Sequence, residues 1–240
     1  MHHIGAWGTH SLGYNFFGGT VNEIGRVPLF PLETVLFPHT LLPLHVFEER
    51  YRQLVVYCLE SDSPFGVVLI RESEQVGGRV EPYEIGTLAR IGRLRRLEDG
   101  RFHLLALGEE RFHIRRLHRD LTPYLQADIE PWRDFPPFSQ EEQQNLTQAV
   151  AEAFRGFLRV ALEPYGVRAS EVNLPDDPVL LSFAVAGTLQ ISLPFKQYLL
   201  ELQDTCERLR LLHLVLQDVT QAYEVKPFDP ENWPGFFSSN

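Results

Sequence analysis

The chain has 240 residues, 44% apolar and 22% charged, with two cysteines and a formal net charge of −10. That is ordinary globular usage, with length enough for one large domain or two modest ones. No stretch is apolar for the roughly 18 residues a membrane span needs, residues 1–19 lack a secretory leader's pattern, and Cys58 and Cys206 are too isolated for a disulfide framework; a soluble, cytoplasmic protein without membrane contact is expected.

The charge is uneven. Residues 1–119 hold 14 Arg and 14 Asp/Glu, whereas residues 120–240 hold 8 Lys/Arg against 18 Asp/Glu. Within the first half Arg90, Arg93, Arg95, Arg96 and Arg101 cluster, followed by Arg111, Arg115, Arg116 and Arg119. Such a run can be a footprint for phosphate backbones or a set of solvated strand faces balanced by Glu98, Asp99, Glu109 and Glu110. The acidic second half weighs against nucleic acid.

Residues 1–25, rich in Gly and aromatics and without periodicity, read as a flexible arm. Pro28, Pro31, Pro38 and Pro43 punctuate Val27–Leu44 and exclude a helix there, leaving short extended pieces and turns. Tyr51, Leu54, Val55, Cys58 and Leu59 then share one helical face over 48–60, which Ser61-Asp62-Ser63-Pro64 ends. Glu48 and Glu49 set negative charge at that helix's start, where the dipole favours it.

Phe65–Ile70 reads as a strand. Leu88, Ile91, Leu94 and Leu97 recur every third residue, a helical spacing, yet Gly86, Gly92 and the Glu98-Asp99-Gly100 turn favour a meander of strands over 87–117. In that meander His103 and His113 fall on neighbouring strands, side by side. Tyr124–Glu130 adds one more strand, and so many short strands suggest a small barrel.

From Ser139 the period becomes helical. Ser139 with Glu142 forms a capping box ahead of Leu146, Val150, Ala153, Phe154, Phe157 and Leu158, a helix ending before Pro164. Asp177-Pro178 starts a second helix, running to about Gly187. Ser192, capping Leu193-Pro194, starts a third. Asp204 with Glu207 caps a fourth, carrying Leu209, Leu212, Leu216 and Val219. The expected organisation is an α+β fold: an arm over 1–25, a β-barrel domain over 26–134, a helical bundle domain over 135–222 and a tail over 223–240.

A search for chemistry mostly excludes it. Neither lysine, Lys196 or Lys226, sits in a phosphate-binding loop. Ser192 and Lys196 stand one helical turn apart, but the serine is better explained as a cap. There is no HExxH, GxSxG or CxxC, and the cysteines lack zinc-site spacing. No catalytic residue, cofactor or metal is therefore expected.

Three runs carry a resemblance: Val27-Pro28-Leu29-Phe30-Pro31-Leu32, Leu36-Phe37-Pro38-His39, and Leu42-Pro43-Leu44-His45-Val46-Phe47-Glu48-Glu49-Arg50-Tyr51. Together they resemble the opening of the Lon protease amino-terminal domain family. Ile85-Gly86-Thr87-Leu88-Ala89, the Glu98-Asp99-Gly100 turn with Phe102–Ile114, and Leu202-Gln203-Asp204 through Leu212 resemble its later parts, so that the likeness spans about 26–222. It implies a PUA-like pseudo-barrel followed by a helical bundle. It also implies a role in capturing unfolded or tagged polypeptides, here without the ATPase and Ser–Lys protease that follow in full Lon proteases.

The function expected is a non-catalytic polypeptide-binding module, a substrate-recognition or adaptor piece working with a separate protease or chaperone. Peptides would add along an exposed barrel edge or lie in the cleft between barrel and bundle. Phe16, Phe17, Trp233, Phe236 and Phe237 are candidate docking aromatics in the arms. The alternative is RNA binding through the Arg-rich 90–119 stretch, since PUA-like barrels also occur in RNA-modifying proteins. His45, Glu48, Arg50 and Tyr51 are the candidate functional patch, against the competing reading that they fix the loop entering the first helix.

Overall fold

The proline-punctuated entry forms two strands, β1 (Gly25–Leu32) and β2 (Leu41–Val46), before the first helix, α1 (Glu49–Ser61). The structure is a computed structural model describing residues 25–71, 81–162 and 172–225. The arms with Phe16, Phe17, Trp233, Phe236 and Phe237, and the approach to Pro164, lie outside the described residues. Tyr51, Leu54, Val55 and Cys58 are buried on one face of α1, whereas Leu59, expected on the same face, is exposed. The helix stops at Asp62, whose left-handed backbone (φ 49°) lets its N–H reach the Cys58 carbonyl.

β3 (Phe65–Leu69) is buried along its whole length, with β1 on one side and β4 (Ile85–Arg96) on the other. Then come β5 (Phe102–His118) and β6 (Gln126–Pro131). The expected meander over 87–117 is a single hairpin of two long strands, turned at Gly100 with φ 83°. The helical spacing in β4 has a physical cause. An irregularity in register between Ile91 and Arg93 adds a residue, so Ile91 opposite Ala106 and Leu94 opposite Leu104 keep the same face although three apart. His103 and His113 both stand on β5, ten residues apart, and are not cross-strand neighbours. The last strand starts at Gln126, two residues later than its sequence suggested, with Tyr124 buried ahead of it.

Pairing runs β2-β5-β4-β3-β1-β6, and β6 pairs again with β5, so five strands close into a barrel. β1 is shared unequally: Gly25–Pro28 pair with β6, Leu29–Leu32 with β3. β5 likewise takes β2 along Phe102–Leu107 and β6 along Phe112–His118. Beyond β6, therefore, β1 and β2 face each other across a gap. Glycine is required at 108 on β5, because a Cβ there would collide with the Phe37 carbonyl.

Four helices follow, α2 (Gln140–Leu162), α3 (Pro178–Thr188), α4 (Leu193–Glu201) and α5 (Thr205–Val225). The last runs into the stretch expected as tail. Ser139, Asp177 and Asp204 accept N–H bonds at the starts of α2, α3 and α5. The reciprocal half of both capping boxes is missing: Glu142 and Glu207 instead pair with Arg210. Ser192 holds the cap position of α4 without a side-chain cap bond, Pro194 having removed one N–H from that first turn. Among the described residues no helix is long and apolar enough to cross a membrane.

The helices share one core with Phe37 and Ile85 from the barrel side. At this seam the carboxylate of Asp134 takes hydrogen bonds from Arg111, Arg208 and the Thr205 hydroxyl. Arg111 also donates to the carbonyls of Leu200 (2.5 Å) and Leu202 (2.6 Å), and Arg208 to Leu202 (2.7 Å) and Ser182 Oγ (2.8 Å). These carbonyls end α4, where intrahelical partners run out and the dipole is negative. Both guanidiniums lie over the Phe183 ring, at 5.1 and 4.2 Å. Burial pulls Arg111 down to about 10 while Asp134 opposes it, so it stays a cation at neutral pH. Trp132 Nε1 donates to the Glu201 carbonyl at 2.9 Å, and Gln197 Nε2 to Ile85 at 3.0 Å. The expected cleft between barrel and helices is filled at this point by polar contacts.

Candidate functional site

The gap between β1 and β2 is a groove of about 370 Å³ whose lining includes Phe30, Pro31, Leu42, Leu44, Phe47 and Tyr51. β2 pairs with β5 on one side only. Its remaining edge is explained by Pro43. A proline cannot donate within an antiparallel ladder, so residue 43 and those of its parity, Leu41 and His45, turn their backbone groups toward the open side. An unpaired strand edge is a template for a further strand.

His45, Glu48, Arg50 and Tyr51 all line this groove. They do not form one interacting set. Glu48 and Arg50 pair at 2.8 Å at the mouth, about half exposed, and the Arg50 guanidinium stands 4.6 Å from the Tyr51 ring centroid. Tyr51 is 7% exposed and stacks on Phe30 at 4.2 Å, and burial pushes its hydroxyl above the ordinary value. Its role is the groove's floor. His45 turns to the outer side, edge-on to His103 at 4.7 Å and beside Phe47 at 5.8 Å. Glu48 occupies the α1 cap position without a side-chain cap bond, its carboxylate pairing with Arg50 instead.

The outer face beside the groove is unusually apolar. Leu41, Phe47 and Leu107 are 60%, 48% and 41% exposed, and Leu41 pairs with Leu107 as Pro43 does with Leu105. The signal for this surface was present in Leu41–Val46, where nearly every residue is apolar although only alternate ones can face a core. A larger hollow of about 720 Å³ on α2 is lined by Gln140, Gln143, Gln144, Thr147 and Gln148 together with Leu174, Pro175 and other residues.

Among the described residues no hydrogen bond joins a Ser, Thr or Cys side chain to a His or Lys side chain, the pairing an activated nucleophile needs. Burial pushes the Cys58 thiol up to about 12, far from reactive range. Burial also lowers the Lys196 ammonium. No group of three or more His, Cys, Asp and Glu among the described residues is placed to hold a metal.

Comparison with known proteins places these features in a family. Residues 26–218 match the model of the ATP-dependent protease La (LON) substrate-binding domain. The chain is 26% identical over 203 residues to the Lon protease of Escherichia coli K12, with 84% of this chain and 26% of that protein aligned. It is 31% identical over 206 residues to the Lon protease of Cytophaga hutchinsonii, with 83% and 25% aligned. The chain thus spans about a quarter of the length of these relatives. A Lon N-terminal domain protein from Xanthomonas campestris aligns with TM-score 0.57 and 29% identity over 79% of this chain and 97% of its own. The N-terminal domain of a Mycobacterium avium complex Lon protease aligns with TM-score 0.63 and 20% identity over 82% and 98%, a likeness of fold. A match of residues 26–218 to the family model leads to one conclusion: the chain belongs to the LON substrate-binding domain family.

Proposed function

We propose that the chain is a non-catalytic module that captures unfolded or tagged polypeptides in the cytoplasm and presents them to a separate protease or chaperone. The observation that carries this is the open edge of β2 beside an apolar groove and an exposed leucine strip. An extended client gains backbone hydrogen bonds along such an edge whatever its sequence, while its apolar side chains leave water against Leu41, Pro43, Leu105 and Leu107. Each leucine-sized side chain so buried contributes roughly 1.5–3 kcal/mol before ordering costs. His45 and the Glu48–Arg50 pair form the polar rim, and Tyr51 acts by holding the floor in place.

The test is fluorescence anisotropy of a labelled, reduced and carboxymethylated unfolded polypeptide against the full chain. Saturable binding is expected, falling at least tenfold in Leu41→Glu/Leu107→Glu because an ionised side chain opposes apolar burial there. Equal affinity of that variant and the parent would remove the leucine strip from the account. No binding by either would remove the function.

A further inference from the structure

Register sets three rows on the outer face of the β2-β5-β4 ribbon. Leu41, Leu107 and Arg90 stand across the first, Pro43, Leu105 and Arg93 across the second, and His45, His103 and Arg95 across the third. Directly paired residues on adjacent strands put their side chains on one face, about 4.8 Å apart. The other parity confirms the assignment, since Val46, Phe102, Leu104 and Ala106 are buried in the barrel core. An apolar surface two strands wide is thus bordered by a column of arginines.

The three arginines differ in what they already hold. Arg90 Nε donates to Glu109 at 2.9 Å, and Arg90 also reaches Asp62 at 3.3 Å. Arg93 and Arg95 are exposed, and among the described residues neither has a carboxylate partner. That contrasts with Arg26 on β1, Arg115 on β5, Arg50 on α1 and Arg101 in the hairpin turn, each paired with an acid. In a chain of net charge −10, two unpaired cations beside an exposed apolar strip form a local positive island.

We propose that Arg93 and Arg95 make this surface selective for polypeptide segments in which a carboxylate follows or precedes an aliphatic or aromatic anchor at a distance of about three residues. This rests on the polypeptide-binding reading above. The spacing comes from geometry: β2 and β4 lie about 10 Å apart across β5, which the part of a client that leaves the β2 edge and crosses the outer face of the ribbon spans in about three residues. The anchor then lies on the Leu41–Pro43–Leu105–Leu107 strip, and the carboxylate meets a guanidinium that can hold both oxygens. Acidic, apolar segments are drawn to this face, and basic ones are repelled from it.

The test uses three labelled peptides of one sequence, carrying apolar anchors with Glu, Gln or Lys three positions to either side. Their affinities for the full chain are measured from about 50 mM to about 0.5 M salt, where screening is nearly complete. The Glu peptide is expected to bind about tenfold more tightly than the Lys peptide at low salt, with the difference fading as salt rises. Arg93→Glu/Arg95→Glu should invert that order, keep its affinity for the Gln peptide and keep its melting temperature, since both side chains are exposed. If the Gln peptide binds but Glu and Lys versions bind equally, or the acidic preference survives in the variant, the arginine assignment is overturned while polypeptide binding stands. If no peptide binds, both fail. A labelled RNA oligonucleotide that binds more tightly than the Glu peptide, and is lost in the variant, would assign the column to phosphate and overturn the proposal.

Discussion

Two pairs of arginines have opposite fates. Arg111 and Arg208 lie buried at the seam of barrel and helices, where Asp134, three main-chain bonds to Leu200 and Leu202, Ser182 and the Phe183 ring engage them. Arg93 and Arg95 stand exposed on the outer face of the same sheet, without an acid partner among the described residues. A buried cation engaged in this way holds structure, because a ligand would first have to break what it already makes. An exposed unpaired one costs the fold almost nothing and keeps its charge for a partner. Charge runs therefore separate into structural and binding positions only through their partners.

The sharpest way to break the comparison is Asp134→Ala. It strands two buried guanidiniums, and a loss of about 3–5 kcal/mol in urea unfolding is expected. A loss below about 1 kcal/mol would mean that the seam is solvated and the contrast false. Next in size is Tyr51→Ala, which removes the ring stacked on Phe30 and should cost about 3 kcal/mol. Arg50→Gln, half exposed, should cost less than about 0.5 kcal/mol. Equal costs would merge the groove's floor with its rim.

Arg93→Glu/Arg95→Glu should shift stability by no more than about 0.5 kcal/mol in the same assay. The smallest effect concerns Asp128, whose carboxyl is held below the ordinary value first by the Arg26 hydrogen bond, then by His118. A depressed carboxyl adds stability above its unfolded value of about 3.9 and loses it as pH falls through the lower folded value. Asp128→Asn should thus cost about 0.3–0.5 kcal/mol at pH 7 and progressively less as pH falls below about 3.9. A cost that grows on acidification would reverse the sign.

What could be read from the chain was mostly local. Asp177 and Asp204 cap helices as their residue types require, and the apolar face of α1 follows its spacing. The hairpin turn at Gly100 was legible for the same reason. Asp134 reads as the last residue of the barrel domain, yet it receives arginines from β5 and α5, positions 23 and 74 residues away. Nothing local marks such a residue. The same holds for His103, which meets His45 and not His113, because a single strand of 17 residues carries both. The candidate patch was found as a cluster in sequence. Only the closure of the barrel separates Tyr51, buried in the floor, from the exposed pair beside it. The groove itself comes from β1 and β2 parting beyond β6, a fact of pairing that no single segment contains.

The most direct test of the central claim is a two-dimensional 1H–15N spectrum of the labelled chain, titrated with a reduced and carboxymethylated unfolded polypeptide. The account predicts that shifts concentrate on the amides of Leu41–Phe47, excepting Pro43, and on His103, Leu105 and Leu107. Shifts confined to the glutamine-lined face of α2, or a spectrum that does not change at saturating polypeptide, would contradict it.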